Sequence, residues 1–312
     1  MLKFFVSPIK TYKKRSKMID VTSLFCNIDD FWIEFKPEWE KFLISEKRCL
    51  PKRTPMLSES EVMTIIIFFH ISGYRNFKQF YLGYVCKYLK PFFPLLPSYN
   101  RMVELKKTVL FPLYCYLMKQ NREITGIGFI DSSPIRVCHL KRSSRHRVFK
   151  GFAKKGKTST GYFFGFKLHL LINDKGEILC FMLTPGNVDD RVPVETLIDH
   201  CNFVGKLCGD RGYISSDLSQ RLVSKGVQLI TRLKKNMKNK LMSVYDKLLL
   251  RKRGIIETII DQLKNVSQIE HTRHRSPINF LVNLLGGLIA YAHQPKKPSL
   301  NLEIKESLAY AL

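Results

Sequence analysis

Apolar positions along the chain change period once, near residue 126. Between Ile19 and Leu50, the residues Phe25, Ile28, Phe31, Trp32, Ile33, Phe35 and Trp39 alternate with acids and predict a helix. Ser58-x-x-Glu61 is a capping box ahead of an apolar helix from Val62 to Ile71, with Gly73 as its stop. Asn76 caps a second helix, Phe77 to Leu89, ended by Pro91. Ser98 caps a third, running from Tyr99 to about Lys119. Short helices with tight turns suit either a helix-turn-helix reader of DNA or an ordinary helical bundle.

From Ile127 the pattern becomes that of strands. The run Ile127-Gly128-Phe129-Ile130 ends on Asp131 and breaks at Ser132-Ser133-Pro134. Gly161 to Ile172 predicts a strand, Asn173 to Gly176 a hairpin turn, and Glu177 to Thr184 the partner strand. A helix over Val192–Cys201, a strand over Lys206–Cys208, a helix over Ser215–Ser224 and a strand over Val227–Thr231 follow. An amphipathic helix opening at Arg253 and reaching Lys264 completes the series. The expected class is α/β: a mixed sheet flanked by helices, preceded by an all-helical N-terminal region. Four segments result: a basic arm over 1–17, a helical region over 18–125, a sheet-containing domain over 126–293 and a tail over 294–312.

Size and charge sharpen this picture. The 312 residues suffice for a large core, and 52 Lys and Arg against 26 Asp and Glu leave a formal charge of +26. A surface so positive points to a polyanion, nucleic acid being the commonest, with a ribosomal or membrane surface as the alternative. Eight scattered cysteines without a Cys-x-x-Cys pair argue against a zinc ribbon or disulfide framework and fit a reducing cytoplasm. The longest late apolar run, Phe280 to Ala292, is shorter than the ~20 residues a spanning helix needs, so no membrane segment is expected.

The candidate chemistry rests on three acids. Asp131 and Asp210 each follow an apolar strand, and Glu257 stands on the last helix. Carboxylates are the hard oxygen ligands that Mg²⁺ prefers, with Mn²⁺ able to substitute. Two such ions about 4 Å apart activate one oxygen and stabilise another in phosphodiester displacement. At ~100° per residue, Arg253, Glu257 and Lys264 fall within about 40° of one another, while Ile255, Ile256, Ile259 and Leu263 take another face. The alternative for this helix is a surface ion-pair ladder of Glu257 with Arg253 and Asp261 with Lys264.

No acid occurs between Ser132 and Asn173, a stretch that holds Arg136, Arg142, Lys154 and Lys155. A second basic run from Arg232 to Arg253 leads to Glu257. Such runs are usually solvated or mobile loops; bordering the acids, they suit DNA phosphates. Lys167 and His169 share one strand face, His169 reading as a satisfied core histidine. Pro185 to Asp190 reads as a turn into a helix cap. Arg273 and Arg275, interleaved with His271 and His274, read as a phosphate-facing loop rather than a zinc site.

Taken in order, Phe129-Ile130-Asp131-Ser132, Gly165-Phe166-Lys167-Leu168-His169, Thr184 to Asp190, Gly209-Asp210-Arg211-Gly212-Tyr213, Ile256-Glu257-Thr258 and His271 to Ser276 resemble the DDE transposases of bacterial insertion sequences, most closely the IS982 family. The resemblance runs from Met18 to about His293. It implies a ribonuclease-H-like catalytic fold and two Mg²⁺ ions held by Asp131, Asp210 and Glu257. It also implies cleavage and joining of DNA at terminal inverted repeats, at least a dimer on DNA, and a bacterial cytoplasmic setting. Related enzymes carry Tyr-x2-Arg-x3-Glu-x6-Lys; this chain matches at Arg253, Glu257 and Lys264, the last near a flanking or terminal base, and departs at Leu250. A decayed or domesticated DNA-binding copy acting as a repressor, and a nuclease without strand joining, remain the alternatives.

Overall fold

A computed structural model describes residues 20–47, 55–120, 122–159, 161–232, 242–270 and 274–300. The expected basic arm, the end of the tail, Arg273 and most of the run from Arg232 to Met242 lie outside the described residues.

The N-terminal half is helical. Helix α1 (Val21–Ser45) packs through Leu24, Ile28 and Phe31 on α2 (Glu59–Ile71). Ser58 and Glu61 close the expected capping box, and Gly73 turns the chain with φ +75°. Asn76 caps α3 (Phe77–Phe80), which continues through a π-helical turn, Tyr81–Val85, into α4 (Cys86–Tyr88). The single helix expected from Tyr99 to Lys119 is two, α5 (Tyr99–Thr108) and α6 (Leu110–Lys119), parted at Val109. Pro112 explains the break, because it has no N–H to continue the hydrogen-bond ladder.

Strand β1 (Ile127–Cys138) opens a six-stranded sheet with β2 (Lys154–Thr158), β3 (Gly161–Asn173), β4 (Ile178–Pro185), β5 (Gly205–Gly209) and β6 (Val227–Thr231). A 3₁₀ segment, Leu140–Arg145, links β1 toward β2. Strand β3 pairs antiparallel with β1 on one edge, and with β4 and β2 end to end on the other. Strands β5 and β6 continue parallel beyond β1. Leaving the β2 extension aside, the order β4-β3-β1-β5-β6 with this mixture of directions is the ribonuclease-H-like arrangement. Helices α7 (Val194–Cys201) and α8 (Ser216–Ser224) cover one face through Leu197, Ile198, Leu218 and Leu222.

The other face carries α9 (Val244–Lys252), α10 (Gly254–Asn265) and α11 (Pro277–Ala292). Helix α11 is apolar along most of its surface because it is sandwiched: it packs on α10 and also on α2, α5 and α6. One apolar core therefore runs from the N-terminal helices into the sheet. Gly286 belongs to this contact, since a Cβ there would meet Ile66 and His70 at 2.9 Å. Among the described residues, no helix is long and apolar enough to cross a membrane.

Two expectations need correction. Strand β1 does not break at Ser132-Ser133-Pro134 but runs on to Cys138, paired with β3 throughout. Its parallel neighbour stops at the Phe129–Cys208 pair, so one edge of β1 lies open beyond that point, and a proline there removes no ladder bond. The basic stretch after it is not wholly a loop: Lys154 to Thr158 form β2, held by the first half of β3. Gly156 allows that pairing, because a Cβ there would stand 2.1 Å from the Gly186 carbonyl oxygen.

Candidate functional site

Strand register brings the first two acids together. Phe129 and Cys208 are the last pair between β1 and β5, and Asp131 and Asp210 lie two residues beyond it on each strand. Side chains alternate with period two and neighbouring strands lie about 4.8 Å apart, so both carboxylates leave the same face at adjacent positions. That face is the one covered by α10. Asp210 begins the 3₁₀ turn Arg211–Tyr213, its Oδ1 accepting from Gly212 N at 2.7 Å.

Helix α10 supplies the third acid. Ile255, Ile256, Ile259 and Leu263 are buried, which fixes the helix against β1 and leaves Glu257 59% exposed at the rim. Arg253, the residue that caps the helix, connects the cluster. One guanidinium nitrogen donates to Glu257 Oε1 at 2.5 Å and the other lies 3.6 Å from Asp131 Oδ2. The nitrogen facing Asp131 is buried and has no hydrogen-bond partner. A cation is thus wedged between two of the three acids.

Asp131 is the electrostatic centre. Burial raises its pKa from 3.8 to about 6. The Ser132 N–H at 2.9 Å and Arg253 oppose the rise, and the Asp210 and Glu257 carboxylates add to it. Tyr213 is buried beside the same group: burial, then Asp131, Asp190 and Asp210, holds its hydroxyl well above the ordinary range, so it stays neutral.

On the opposite face of β1, Ser132 Oγ donates to Asp190 Oδ1 at 2.8 Å, and Lys167 Nζ reaches the same oxygen at 2.9 Å. Lys167 also donates to the Val188 carbonyl at 2.9 Å, which ties the turn from Pro185 to Asp190 to the sheet. The shared face of Lys167 and His169 was legible in the sequence; the part played by Asp190 was not, because a turn acid usually caps a helix. His169 is fully buried, pairs through Nε2 with Thr184 Oγ1 at 2.8 Å, and has its pKa pushed down to about 4 by burial.

The predicted cations fall into two groups. Lys264 is engaged inside the protein, 2.7 Å from the Pro134 carbonyl and 3.2 Å from Glu270. Glu270 also accepts from the Arg136 backbone N–H at 2.9 Å, and the half-exposed Arg136 guanidinium lies 4.0 Å from the same carboxylate oxygen. The ion-pair ladder weighed for α10 is half present: Glu257 does bond Arg253, but Asp261 takes Asn265 rather than Lys264. Arg142 on the 3₁₀ segment, Lys154 and Lys155 on β2, and Arg275 before α11 are exposed.

Among the described residues, no three of His, Cys, Asp and Glu already stand at metal-ligating separation. The donor set nevertheless suits a hard divalent cation. It consists of carboxylates, its central member is costly to ionise without a positive neighbour, and Arg253 supplies that positive charge.

The transposase DDE domain family model matches residues 121–277, just over half the chain. No curated protein matches. Among solved structures, a piggyBac transposase synaptic complex with hairpin DNA aligns at a TM-score of 0.49 and 10% identity, over 88% of this chain and 74% of that one. The matched segment contains Asp131, Asp210, Glu257 and the residues that hold them, and the chain belongs to the transposases built on a DDE domain.

Proposed function

We propose that this transposase, resembling the IS982 family, cleaves and joins DNA at the terminal inverted repeats of its own insertion sequence, using Asp131, Asp210 and Glu257. The observation that carries this reading is the bridge made by Arg253, which holds Asp131 and Glu257 on one cation while Asp131 and Asp210 each lie two residues beyond the last β1–β5 pair.

Two Mg²⁺ ions bound by these carboxylates would activate the attacking oxygen and stabilise the leaving one. The protein's own residues do the rest. Asp131 would hold such an ion in its ionised form. Arg253, which now supplies the positive charge beside Asp131 and Glu257, would be left to a DNA phosphate once those carboxylates held metal. Arg136, Arg142, Lys154, Lys155, Arg273 and Arg275 neutralise phosphates along the duplex, making binding steeply salt-dependent. The N-terminal helices recognise the element's ends, and two copies bring two ends together.

The test is Asp210→Asn in an Mg²⁺-dependent cleavage assay on end DNA, followed by strand transfer from a 3′-hydroxyl end. Cleavage should fall at least 10²-fold, on the scale of losing one transition-state electrostatic interaction. Full activity in the variant removes Asp210 from the mechanism. Cleavage by the wild type without joining reduces the function to that of a nuclease.

A further inference from the structure

An open cleft of about 780 Å³ lies at the far end of the sheet from Asp131. Arg145, Arg147, Lys150, Lys154 and Lys155 line it, with Phe164 at its base. Among the described residues none of these five cations is in an ion pair, and the sequence offers no acid from Ser133 to Ile172 to neutralise them. Five unneutralised charges along an open trough exceed what one small anion requires and match a run of backbone phosphates.

The sheet fixes how far this cleft stands from the acids. Lys154 pairs with Gly165, which pairs with Arg136, five residues along β1 from Asp131. Lys155 pairs with Phe164, which pairs with Cys138, seven residues along. At ~3.3 Å per residue the separation measured along the strands is about 17–23 Å. One strand of B-DNA advances ~3.4 Å per nucleotide, so the same span covers about five to seven nucleotides. The spacing is rigid, because β2 is hydrogen-bonded to β3, Gly156 packs on the Gly186 carbonyl, and His146 packs against the Phe164 ring at 6.0 Å.

We infer that this cleft seats the sugar–phosphate backbone of the DNA being cut, about five to seven nucleotides to one side of the scissile phosphate. The assignment of the scissile phosphate to Asp131 rests on the proposed function; the cleft's affinity for DNA does not.

Two measurements on the full chain test it. The first is binding of a mixed-sequence 30-base-pair duplex across a salt series. For Arg147→Ala/Lys154→Ala/Lys155→Ala the slope of log K against log salt should become shallower by two to three, at about 0.9 for each phosphate that is no longer neutralised. All three side chains are exposed, and an unchanged thermal midpoint together with recovery in Lys154→Arg/Lys155→Arg excludes misfolding. The second is a scan of neutral methylphosphonates along the end DNA that the wild type cuts. Substitution five to seven nucleotides from the cut, on one side, should weaken wild-type binding severalfold and leave the triple variant unaffected. An unchanged slope overturns the inference, as do methylphosphonate losses that add to those of the variant. A protein that binds DNA with the expected slope change but never cuts defeats the proposed function and leaves the cleft's role standing.

Discussion

Lys264 extends its amine to within 2.7 Å of the Pro134 carbonyl, joining the last turn of α10 to the open edge of β1. The pairing of β5 with β1 has already ended at Cys208, so the β1 edge beyond Phe129 lacks a neighbouring strand. Lys264 satisfies the Pro134 carbonyl, and Glu270 satisfies the Arg136 N–H two residues on. Side chains do there what a sheet partner would do, and they hold α10, with Glu257 on it, beside Asp131.

Lys264→Met should therefore act on stability. It keeps the aliphatic stem but removes a charge-assisted bond and leaves a carbonyl and Glu270 short of a partner, a cost of about 1–3 kcal/mol. The chemical-denaturation midpoint should fall, while the salt slope of DNA binding stays at the wild-type value. A slope shallower by about 0.9, with stability retained, would mean instead that Lys264 holds a phosphate.

The raised pKa of Asp131 makes stability pH-dependent in a definite direction. Between pH 3.8 and about 6 the folded protein keeps a proton that the unfolded chain has lost. Stability from this group thus falls as pH rises through that window and is not recovered above it. Asp131→Asn removes the burden. In the absence of divalent ions the variant should exceed the wild type above pH 6, by at most about 3 kcal/mol, with the difference vanishing below pH 4. Urea unfolding at pH 4, 5, 6 and 7.5 measures it, and a variant less stable than wild type at pH 7.5 contradicts the account.

Cation uptake must expel that same proton, because a carboxylate binds metal only when ionised. Calorimetric titration of Mn²⁺ or Mg²⁺ in buffers of different ionisation enthalpy should show proton release near pH 6 that shrinks by pH 8. Asp131→Asn should release none at either pH. Equal release from both proteins would place the titrating group elsewhere.

The sequence disclosed elements whose cause is local. Strand β6 falls on the expected Val227–Thr231, the capping box of α2 is present, and Asp210 stands at the end of β5 as expected. Features decided by distant partners were hidden. Ser132-Ser133-Pro134 reads as a break, and only the early end of β5 shows why β1 passes through it. Lys-Lys-Gly-Lys-Thr has no apolar alternation, so β2 becomes visible only once β3 supplies an edge. The periodicity of α10 put Lys264 on the acid's side of the helix, but a carbonyl 130 residues away has no local signature.

Gly165 sits where the sheet is least tolerant. Strand β3 is flanked there by β1 and β2 at once, and a Cβ on Gly165 would stand 2.0 Å from the Ile135 carbonyl oxygen. Backbone, unlike the end of a flexible side chain, cannot step aside without disturbing both strands. Gly165→Ala should thus cost about 1–3 kcal/mol or more, the scale of overpacking. The shift should reach Arg136 and Lys154, the residues paired with Gly165 on either side, so DNA affinity should fall together with the unfolding midpoint. Gly254→Ala is the control, since a Cβ there meets nothing within 4 Å and alanine favours the start of α10 by roughly 1 kcal/mol. Equal midpoints for the two variants would show that close approach of strands at Gly165 does not limit this sheet.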